Sequence, residues 1–183
     1  MTETPPLEQP EPASAPVLVL VGPPGAGKSA VGKALAKALG VPFRDTDVAV
    51  EQSTGRSVSD IFVQDGEATF RALERDEVLS SLTSHAGVLS LGGGAIIDED
   101  VQEALKVHPV VFLDVGIADA SKRIGFDASR PMLVVNPRAS WTRLMNLRRP
   151  IYQDLATWRV DTAARDVDSV VAEILSDVEV ATA

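Results

Sequence analysis

The chain has 183 residues, which is enough for one domain and too few for a large multidomain enzyme. Its 45% apolar residues suffice for a sizeable core, while its formal net charge of −9 argues against an extended nucleic-acid surface, which needs clustered lysines and arginines. The absence of cysteine excludes disulfides and thiolate chemistry, and it is compatible with a reducing cytosol.

The first sixteen residues, MTETPPLEQPEPASAP, are rich in Pro and Glu and contain no Lys or Arg. They have neither the basic nor the apolar region of a signal peptide, so we predict a disordered tail over 1–16. We place one domain at 17–179 and a short tail at 180–183. Because no stretch approaches ~20 apolar residues, we expect a soluble, cytoplasmic protein without a membrane partner.

Short apolar runs then alternate with stretches of helical periodicity. The runs at 17–21, 88–91 and 110–115 are typical of strands buried on both faces, and weaker strand candidates lie at 41–45 and 157–162. After the first run, SAVGKALAKALG carries its apolar residues on one stripe and ends at Gly40, a helix stop signal. This alternation predicts an α/β fold with helices on both sides of a parallel sheet, and ligands at the carboxyl ends of the strands.

Residues 22–29, GPPGAGKS, fit the phosphate-binding pattern G-x-x-x-x-G-K-[ST] between a predicted strand and a predicted helix. Successive backbone N–H groups and a helix N-terminus form a concave anion site in such a loop. Lys28 is suited to neutralise the β- and γ-phosphates, and the Ser29 hydroxyl is suited to ligate Mg²⁺. The motif predicts a nucleotide site rather than a chance glycine-rich turn, and it leaves the phosphoryl acceptor open.

Asp45 and Asp47, in the stretch RDTD, follow the second strand candidate. Two residues apart on an extended segment, their side chains would share one face. In a phosphoryl-transfer site one carboxylate would hold the water shell of the metal while the other orients an acceptor hydroxyl. The alternative is a solvated strand end with an aspartate that caps a helix. The neighbouring phosphate loop favours the functional interpretation.

The stretch GEATFRALERDEVL, 66–79, predicts a helix with Phe70 and Leu73 facing inward. Arg71 and Glu74 are three residues apart and can pair on one helix face. From these residues alone a surface salt bridge is the favoured interpretation. The alternative is an arginine held by Glu74 for an anionic substrate group.

In GVLSLGGGAI, 87–96, a strand candidate runs into three consecutive glycines. Glycine has no Cβ, and three in a row raise the entropic cost of ordering the backbone. Either a ligand needs bare main chain there, or the chain makes a tight turn into the next helix.

Further arginines lie in the C-terminal third of the chain. A helix ending near Arg123 precedes a loop at about 125–138, whose length is typical of a lid, and Arg130 within it would close over the transferring phosphate. An ordinary surface loop is the alternative. Arg148 and Arg149, in LRRPIY, are compatible with a helix end that satisfies its own carbonyls and dipole.

These pieces occur together in one known order. The chain from about 17 to 175 resembles the shikimate kinase family through GAGKS, VGKALAKALGVPFRDTD, GRSVSDIF, GEATFR, VLSLGGGA, RPML and RRPIY. The resemblance implies a three-layer α/β/α P-loop kinase fold with a five-stranded parallel sheet and a mobile lid. It also implies transfer of phosphate from ATP to the 3-hydroxyl of shikimate, with Mg²⁺, in aromatic amino acid biosynthesis. We expect a monomer that binds shikimate and ATP, and no nucleic acid.

The resemblance further implies roles for individual residues. The catalytic residues would be Lys28, Asp47 and Arg130, with Asp47 binding the acceptor hydroxyl and serving as base. Ser29 and Asp45 would lie at the Mg²⁺. Nucleotide-binding residues would be Gly25, Ala26, Gly27, Lys28, Ser29, Ala30, Arg123, Arg130 and Arg165. Substrate-binding residues would be Asp47, Arg71, Gly92, Gly93, Gly94 and Arg148, with Phe62 and Phe70 as walls for the ring.

The glycine triplet would then be the floor under a polyhydroxylated ring, with the N–H of Gly93 bonded to a substrate oxygen. Two positions depart from the family pattern. Ala30 replaces a usual Thr, and Arg44 stands where an apolar residue is commoner, near two carboxylates. The rival hypotheses are another small-acceptor P-loop kinase, such as a gluconate kinase, and a homologue that binds nucleotide without catalysis.

Overall fold

The computed structural model describes residues 15–124 and 136–182, with side chains up to 179. The strands in this part are β1 (Leu18–Val21), β2 (Phe43–Asp45), β3 (Val88–Ser90), β4 (Val110–Asp114) and β5 (Trp158–Asp161). The helices are α1 (Lys28–Leu39), α2 (Thr46–Thr54), α3 (Val58–Asp65), α4 (Glu67–Ser84), α5 (Glu99–Leu105), α6 (Ile117–Ile124), α7 (Pro137–Leu155) and α8 (Val167–Thr182).

The five strands form one parallel sheet in the order β2-β3-β1-β4-β5. In its register Leu20 of β1 lies opposite Ser90 of β3 and Val111 of β4. Every residue of β1, β3 and β4 is buried, so helices cover both faces of the sheet. The predicted five-stranded parallel α/β fold is confirmed.

Strand β1 is the point at which the sheet order reverses, because its neighbours are β3 on one side and β4 on the other. In parallel sheets such a switch point opens a crevice at the carboxyl ends of the strands. The loop after β1 is GPPGAGKS, so the phosphate-binding motif lies at this crevice.

Helix boundaries follow the sequence signals closely in α1, which ends at Gly40 in the left-handed conformation with φ 67°. The helix predicted over 66–79 is present as α4 and continues to Ser84. Helix α8 runs to Thr182, beyond the predicted domain end at 179. Of the predicted tail, 1–14 lie outside the described residues, as does most of the predicted lid, 125–135. Among the helices described, none is long and apolar enough to cross a membrane.

The core between the layers is built from aliphatic strand residues and the inward faces of α1, α4, α7 and α8. Phe112 of β4 and Tyr152 of α7 are both fully buried, and their rings stack with centroids 5.0 Å apart. A second, smaller cluster under α2, α3 and α4 is formed by Val50, Ile61 and Phe70. These contacts fix α4 and α7, the two helices that carry site arginines, against the rest of the fold.

Candidate active site

Two side chains hold the phosphate-binding loop by donating hydrogen bonds to its carbonyl oxygens. Lys28 Nζ donates to the carbonyl oxygens of Gly22, at 2.8 Å, and Pro23, at 3.2 Å. Trp141 Nε1 donates to the Pro24 carbonyl at 3.0 Å. Gly27 has φ 89°, a conformation that a residue with a Cβ adopts only with strain, and the first turn of α1 follows it directly.

A cavity of about 260 Å³ lies over this loop, and we call it the P-loop cavity. It brings the loop together with both aspartates of RDTD and with one glycine of the triplet. Its lining includes Lys28, Ser29, Asp45, Asp47, Gly93 and Arg123.

Asp45 serves as both helix cap and cavity wall. Its Oδ1 accepts from the backbone N–H groups of Asp47, at 3.1 Å, and Val48, at 3.5 Å, while its Oδ2 accepts from Ser29 Oγ at 2.7 Å. The prediction that Asp45 and Asp47 share one face of an extended segment is therefore wrong. Strand β2 ends at Asp45 and α2 begins at Thr46, so Asp47 lies in the first helical turn.

The pair formed by Ser29 and Asp45 fits a magnesium ion, because a hydroxyl and a carboxylate oxygen are both hard ligands and lie 2.7 Å apart at the phosphate loop. The described part of the chain contains no group of three or more His, Cys, Asp or Glu side chains arranged to hold a metal. Mg²⁺ commonly uses one or two protein ligands and completes its shell with phosphates and water. The two residues are thus compatible with a metal that arrives with a nucleotide.

Asp47 has a buried oxygen, Oδ1, that finds no hydrogen-bond partner among the described residues. Burial raises the pKa of Asp47 to about 7, and the negative charges of Glu74 and Asp45 act in the same direction. The cations Lys28 and Arg71 oppose this shift. Asp47 therefore titrates near neutrality, and it lines the P-loop cavity while its Oδ1 is buried beside Gly92.

This shift predicts a pH-dependent gain in stability for Asp47→Asn. A carboxyl group whose pKa is raised from 3.8 to about 7 favours the folded state while protonated and penalises it once ionised. The wild type should therefore lose stability relative to the variant as the pH rises through that window. We expect the difference in the free energy of unfolding to be smallest below pH 4 and to level off above pH 7. Between these limits the difference in the free energy of unfolding grows by about 1.4 kcal/mol for each pH unit.

Urea unfolding of both proteins between pH 4 and pH 8 measures this difference. A difference that is constant over the whole range would contradict the raised pKa of Asp47.

Arg71 and Glu74 form an ion pair that is buried on the carboxylate side. Arg71 NH1 donates to Glu74 Oε2 at 2.6 Å, and Glu74 is only 2% exposed. The favoured sequence interpretation, a surface salt bridge, is wrong, because α4 turns Glu74 toward the triplet. Burial raises the pKa of Glu74 while the Arg71 guanidinium opposes that shift. A buried carboxylate pays a large desolvation cost, and Arg71 offsets part of it.

Two phenylalanines support Arg71. Its guanidinium carbon lies 5.8 Å from the ring centroid of Phe62 and 5.4 Å from that of Phe70, within the range of a cation–π contact. Phe70 is 3% exposed and belongs to the smaller core, whereas Phe62 is half-buried and packs on it with ring centroids 4.8 Å apart. Phe62 is thus the ring available to a ligand, and Phe70 lies beneath it.

The glycine triplet is bare for a different reason from the one predicted. Gly92 and Gly94 are buried, and Gly93 is partly exposed and lines the P-loop cavity. A Cβ on Gly92 would collide with Glu74 Oε1 and with Asp47 Oδ1, and a Cβ on Gly94 would collide with the Arg71 guanidinium. Gly92 and Gly94 thus make room for side chains of the protein itself, and their contacts with a substrate stay predictions.

Only Gly93 fits the predicted role of a floor. Gly92 and Gly94 on either side of it leave space for charged side chains of the protein itself. After the triplet the chain forms a short 3-10 helix over Ala95–Ile97. The buried Thr46 supports the turn, because its Oγ1 accepts from the N–H of Gly92 at 3.1 Å. Nothing in the local sequence around Thr46 signals that contact, which joins residues 46 positions apart.

Arg148 reaches the triplet from α7. Its NH1 donates to the Gly93 carbonyl at 3.0 Å, and the Tyr152 hydroxyl donates to the same oxygen. Arg148 is 4% exposed and lies in the interior of α7, so the interpretation of Arg148 and Arg149 as a helix end is wrong. Burial lowers the pKa of Arg148, and burial raises the pKa of Tyr152 to about 12, which keeps that hydroxyl a donor.

Arg71, Glu74 and Arg148, which we call the arginine cluster, act on one another electrostatically. The positive charge of Arg71 lowers the pKa of Arg148, and the negative charge of Glu74 raises it. The structure therefore brings two arginines of distant helices to one side of the triplet. Arg148 Nε is buried and has no hydrogen-bond partner among the described residues, so the cluster retains donor capacity.

The remaining predicted cations differ in position. Arg123 lines the P-loop cavity and donates to the Gly25 carbonyl at 3.2 Å and to Thr162 Oγ1 at 3.0 Å. Arg165 pairs with Glu173 of α8, and it is absent from the described lining of the P-loop cavity. Its nucleotide role stays a prediction. Arg130 lies outside the described residues.

The two departures from the family pattern have simple structural accounts. Ala30 is exposed in the first turn of α1 and belongs to the lining of the P-loop cavity. Arg44 points to the opposite side of β2 from Asp45, because neighbouring strand residues alternate, and it pairs with Glu77 of α4 at 2.8 Å. Arg44 and Asp45 nevertheless border one cavity of about 390 Å³, and the influence of Arg44 on the two aspartates stays a prediction.

A parallel sheet that carries a phosphate loop at its switch point, with the buried carboxylate of Asp47 close to Lys28 and Arg71, is the arrangement of a P-loop kinase. A family model described as shikimate kinase matches residues 24–179. The shikimate kinase of Salinispora arenicola is 52% identical over 160 residues, which cover 87% of this chain and 96% of that protein. The one from Thermobifida fusca is 54% identical over 151 residues, covering 82% and 88%. The chain belongs to the shikimate kinase family.

Solved structures agree with this assignment. Shikimate kinase from Acinetobacter baumannii in complex with shikimate superposes with a TM-score of 0.86 at 34% identity, covering 91% of this chain and 94% of that one. A gluconokinase from Sinorhizobium meliloti reaches a TM-score of 0.55 at 21% identity over 90% of both chains. The second likeness shows a shared fold alone.

Proposed function

We propose that the protein transfers the γ-phosphoryl group of ATP to the 3-hydroxyl of shikimate, yielding shikimate 3-phosphate and ADP for aromatic amino acid biosynthesis. The observation that carries this proposal is the unpaired, buried Oδ1 of Asp47, between the phosphate loop and the arginine cluster. A buried carboxylate oxygen without a donor is costly, and an acceptor hydroxyl would supply the missing hydrogen bond.

The arginine cluster supplies the recognition of a carboxylate on the acceptor. Arg71 and Arg148 offer guanidinium donors that match a carboxylate, and Glu74 keeps Arg71 in place through its 2.6 Å contact. Gly93 provides bare backbone next to them, on which a ring can lie close to the main chain. Shikimate combines a ring, a carboxylate and hydroxyl groups, so its chemistry matches Gly93, the arginine cluster and Asp47.

The phosphate loop supplies the nucleotide side. We assign the ATP phosphates to the backbone of Gly25, Ala26 and Gly27, with Lys28 as their cation, and Ala30 and Arg123 at its border. Ser29 and Asp45 would hold Mg²⁺, which would supply charge neutralisation of the phosphates when bound. Two further contacts remain predictions. Arg165 would contact the adenine side of the nucleotide, and Arg130 would contact the transferring phosphoryl group.

Catalysis would rest on positioning and charge. The ionised Asp47 orients the acceptor hydroxyl and takes its proton as the oxygen attacks, while Lys28 stabilises charge on the transferring group. A pKa of about 7 suits a general base that works near neutral pH. Burial of Asp47 beside Glu74 destabilises its ionised form, and the same burial gives the carboxylate the proton affinity that a general base needs near neutral pH.

The rival acceptor is gluconate, also a polyhydroxylated carboxylate. The gluconokinase shares only the fold with this chain at 21% identity, whereas relatives at 52% and 54% identity are named shikimate kinases, which favours shikimate. A non-catalytic homologue is disfavoured because it has no need of Asp47 at a raised pKa beside Lys28. We also propose a cytoplasmic monomer that binds no nucleic acid, which the net charge of −9 and the lack of cysteine favour.

The test is ADP release from Mg·ATP with shikimate, with gluconate and without an acceptor. ADP release that depends on shikimate alone supports the proposal. A preference for gluconate would overturn the acceptor assignment, and bound but unconsumed ATP would favour the non-catalytic alternative.

Arg71→Ala is expected to raise the KM for shikimate by about 10- to 100-fold, because a charge-assisted contact to the substrate carboxylate is lost. The KM for ATP should change little, since Arg71 lies on the acceptor side. Initial rates over a range of both substrates measure the two constants. Arg75→Ala is the matched control, because Arg75 lies one turn further along α4 and pairs with Asp76 at the surface. Equal shikimate KM values for the two variants would remove Arg71 from the acceptor site.

A further inference from the structure

Asp114, the last residue of β4, anchors a group of contacts outside the P-loop cavity. The residue is 4% exposed, and its Oδ1 accepts from the N–H of Val115 at 2.8 Å. Its Oδ2 accepts from two arginines, Arg149 of α7 and Arg159 of β5, the latter at 2.7 Å. None of these charged groups takes part in the chemistry proposed above.

Helix α7 has a weak point beside Arg149. Pro150 lies in the helix interior, where its nitrogen has no hydrogen to donate and its ring crowds the carbonyl of Asn146. Proline also disfavours the helical conformation of the preceding residue, which here is Arg149. The helix therefore lacks a backbone hydrogen bond at the turn that carries Arg148, and this turn depends more on contacts with other elements.

Tertiary contacts hold this turn from two directions. Arg148 and Tyr152 both donate to the Gly93 carbonyl, while Arg149, about 100° further around the helix, pairs with Asp114. The end of β4 is itself a fixed point, because the N–H and hydroxyl of Thr162 both donate to the Asp114 carbonyl, at 2.9 and 3.1 Å. The ion pair thus ties the proline turn to a rigid part of the sheet.

We propose that Arg149 is a positioning residue for the acceptor site: its ion pair with Asp114 fixes the proline-containing turn of α7 and thereby aims Arg148 at Gly93. The inference rests on the proposed function, since it takes Arg148 as a contact of the shikimate carboxylate. The guanidinium of Arg149 is engaged by Asp114, so Arg149 acts through the orientation of its neighbour Arg148.

The chain offers a matched control in Arg159. It bonds the same carboxylate oxygen as Arg149, through two nitrogens at 3.0 and 2.7 Å, but it belongs to β5 and not to α7. Arg149→Gln and Arg159→Gln each remove one cation from Asp114. A purely structural role for the ion pairs would make the two variants alike in substrate kinetics.

The experiment measures melting temperature, kcat and both KM values for wild type, Arg149→Gln, Arg159→Gln, Asp114→Asn and the double variant Asp114→Asn/Arg149→Gln. We expect Arg149→Gln and Asp114→Asn each to raise the shikimate KM by about three- to tenfold, with the ATP KM within about twofold of wild type. Arg159→Gln should keep the wild-type shikimate KM. The double variant should be no worse than either single one, because both remove the same link.

Three results would overturn the inference. An equal rise of the shikimate KM in Arg149→Gln and Arg159→Gln would indicate a structural role only. A rise of the shikimate KM in Arg149→Gln without one in Asp114→Asn would indicate a direct contact between Arg149 and substrate. An unchanged shikimate KM in Arg149→Gln would also refute the positioning role.

If Arg149→Gln does not fold, Arg149→Met, which keeps the aliphatic stem, takes its place. A wild type without shikimate-dependent ADP release would refute the proposed function itself, so the two failures are distinguishable.

Discussion

Asp47→Asn is expected to lower kcat for shikimate phosphorylation by about 10²- to 10⁴-fold, the usual contribution of a positioned general base. Asparagine keeps the shape of the side chain, and its amide oxygen can still accept a hydrogen bond from the acceptor hydroxyl. It cannot take the proton, so the loss should fall on kcat rather than on the KM for either substrate. Stopped or coupled assays of ADP release measure the effect.

Two controls separate this chemical effect from damage to the fold. Asp154→Asn makes the same change at an exposed position of α7 and should retain wild-type kcat. In the wild type kcat/KM should fall below about pH 7 as Asp47 becomes protonated, and the variant should lack this acidic limb. A variant with a kcat within about threefold of wild type would show that Asp47 only binds the hydroxyl.

Gly92→Ala is the second change with a large expected effect. Its Cβ would collide with Glu74 Oε1 and Asp47 Oδ1, which are both ends of flexible side chains, so the fold can survive while the carboxylates move. Displacing a catalytic group by about 1 Å can cost about 100-fold in rate, and we expect kcat to fall by that order. Assays of kcat, together with a melting curve to confirm folding, provide the measurement.

Gly116→Ala is the matched control for this change. Gly116 has no heavy atom within 4 Å of its would-be Cβ and precedes α6, so the variant should behave like wild type. Gly93→Ala gives a further contrast, because its Cβ would lie 3.2 Å from Pro24 Cδ and would intrude on the cavity rather than on the carboxylates. It should affect the shikimate KM more than kcat. A Gly92→Ala enzyme with wild-type kcat would show that the triplet is not bare for the sake of Asp47 and Glu74.

The parts of the fold that depend on local pattern could be predicted from the sequence. Continuous apolar runs mark the strands that are buried on both faces, and the phosphate loop has a fixed spacing between a strand and a helix. Gly40 ends α1 because only a residue without Cβ readily adopts its left-handed conformation. Each of these signals acts within a few residues, so a single sequence contains them in full.

The errors arise where distant contacts decide the outcome. The start of α2 is set by the carboxylate of Asp45, which caps the helix, and strand periodicity cannot show where that capping occurs. Helical spacing pairs Arg71 with Glu74, but it does not reveal that Glu74 faces the buried side of the triplet. Pro150 resembles a helix terminator in sequence, yet contacts with Gly93 and Asp114 let α7 continue through it.

The same reasoning explains the glycine triplet. Its need for bare backbone was evident from three adjacent glycines, whereas the groups that require the space come from α2 and α4. Asp47 and Arg71 precede the triplet in the chain by many residues and meet it only in the folded sheet. A sequence can therefore indicate that a site exists here. Which groups lie against Gly92, Gly93 and Gly94 is known only from the tertiary structure.

The most direct test of the central claim is identification of the product made from ATP and shikimate. Proton–phosphorus correlation NMR of the reaction mixture should show one phosphorylated ring product, with phosphorus coupled to the proton at carbon 3 and formed in equal amount with ADP. Phosphorus coupled to a different ring position would contradict the proposed orientation of the acceptor. Release of inorganic phosphate alone, with shikimate unchanged, would contradict the claim that Asp47 and the arginine cluster direct ATP to this acceptor.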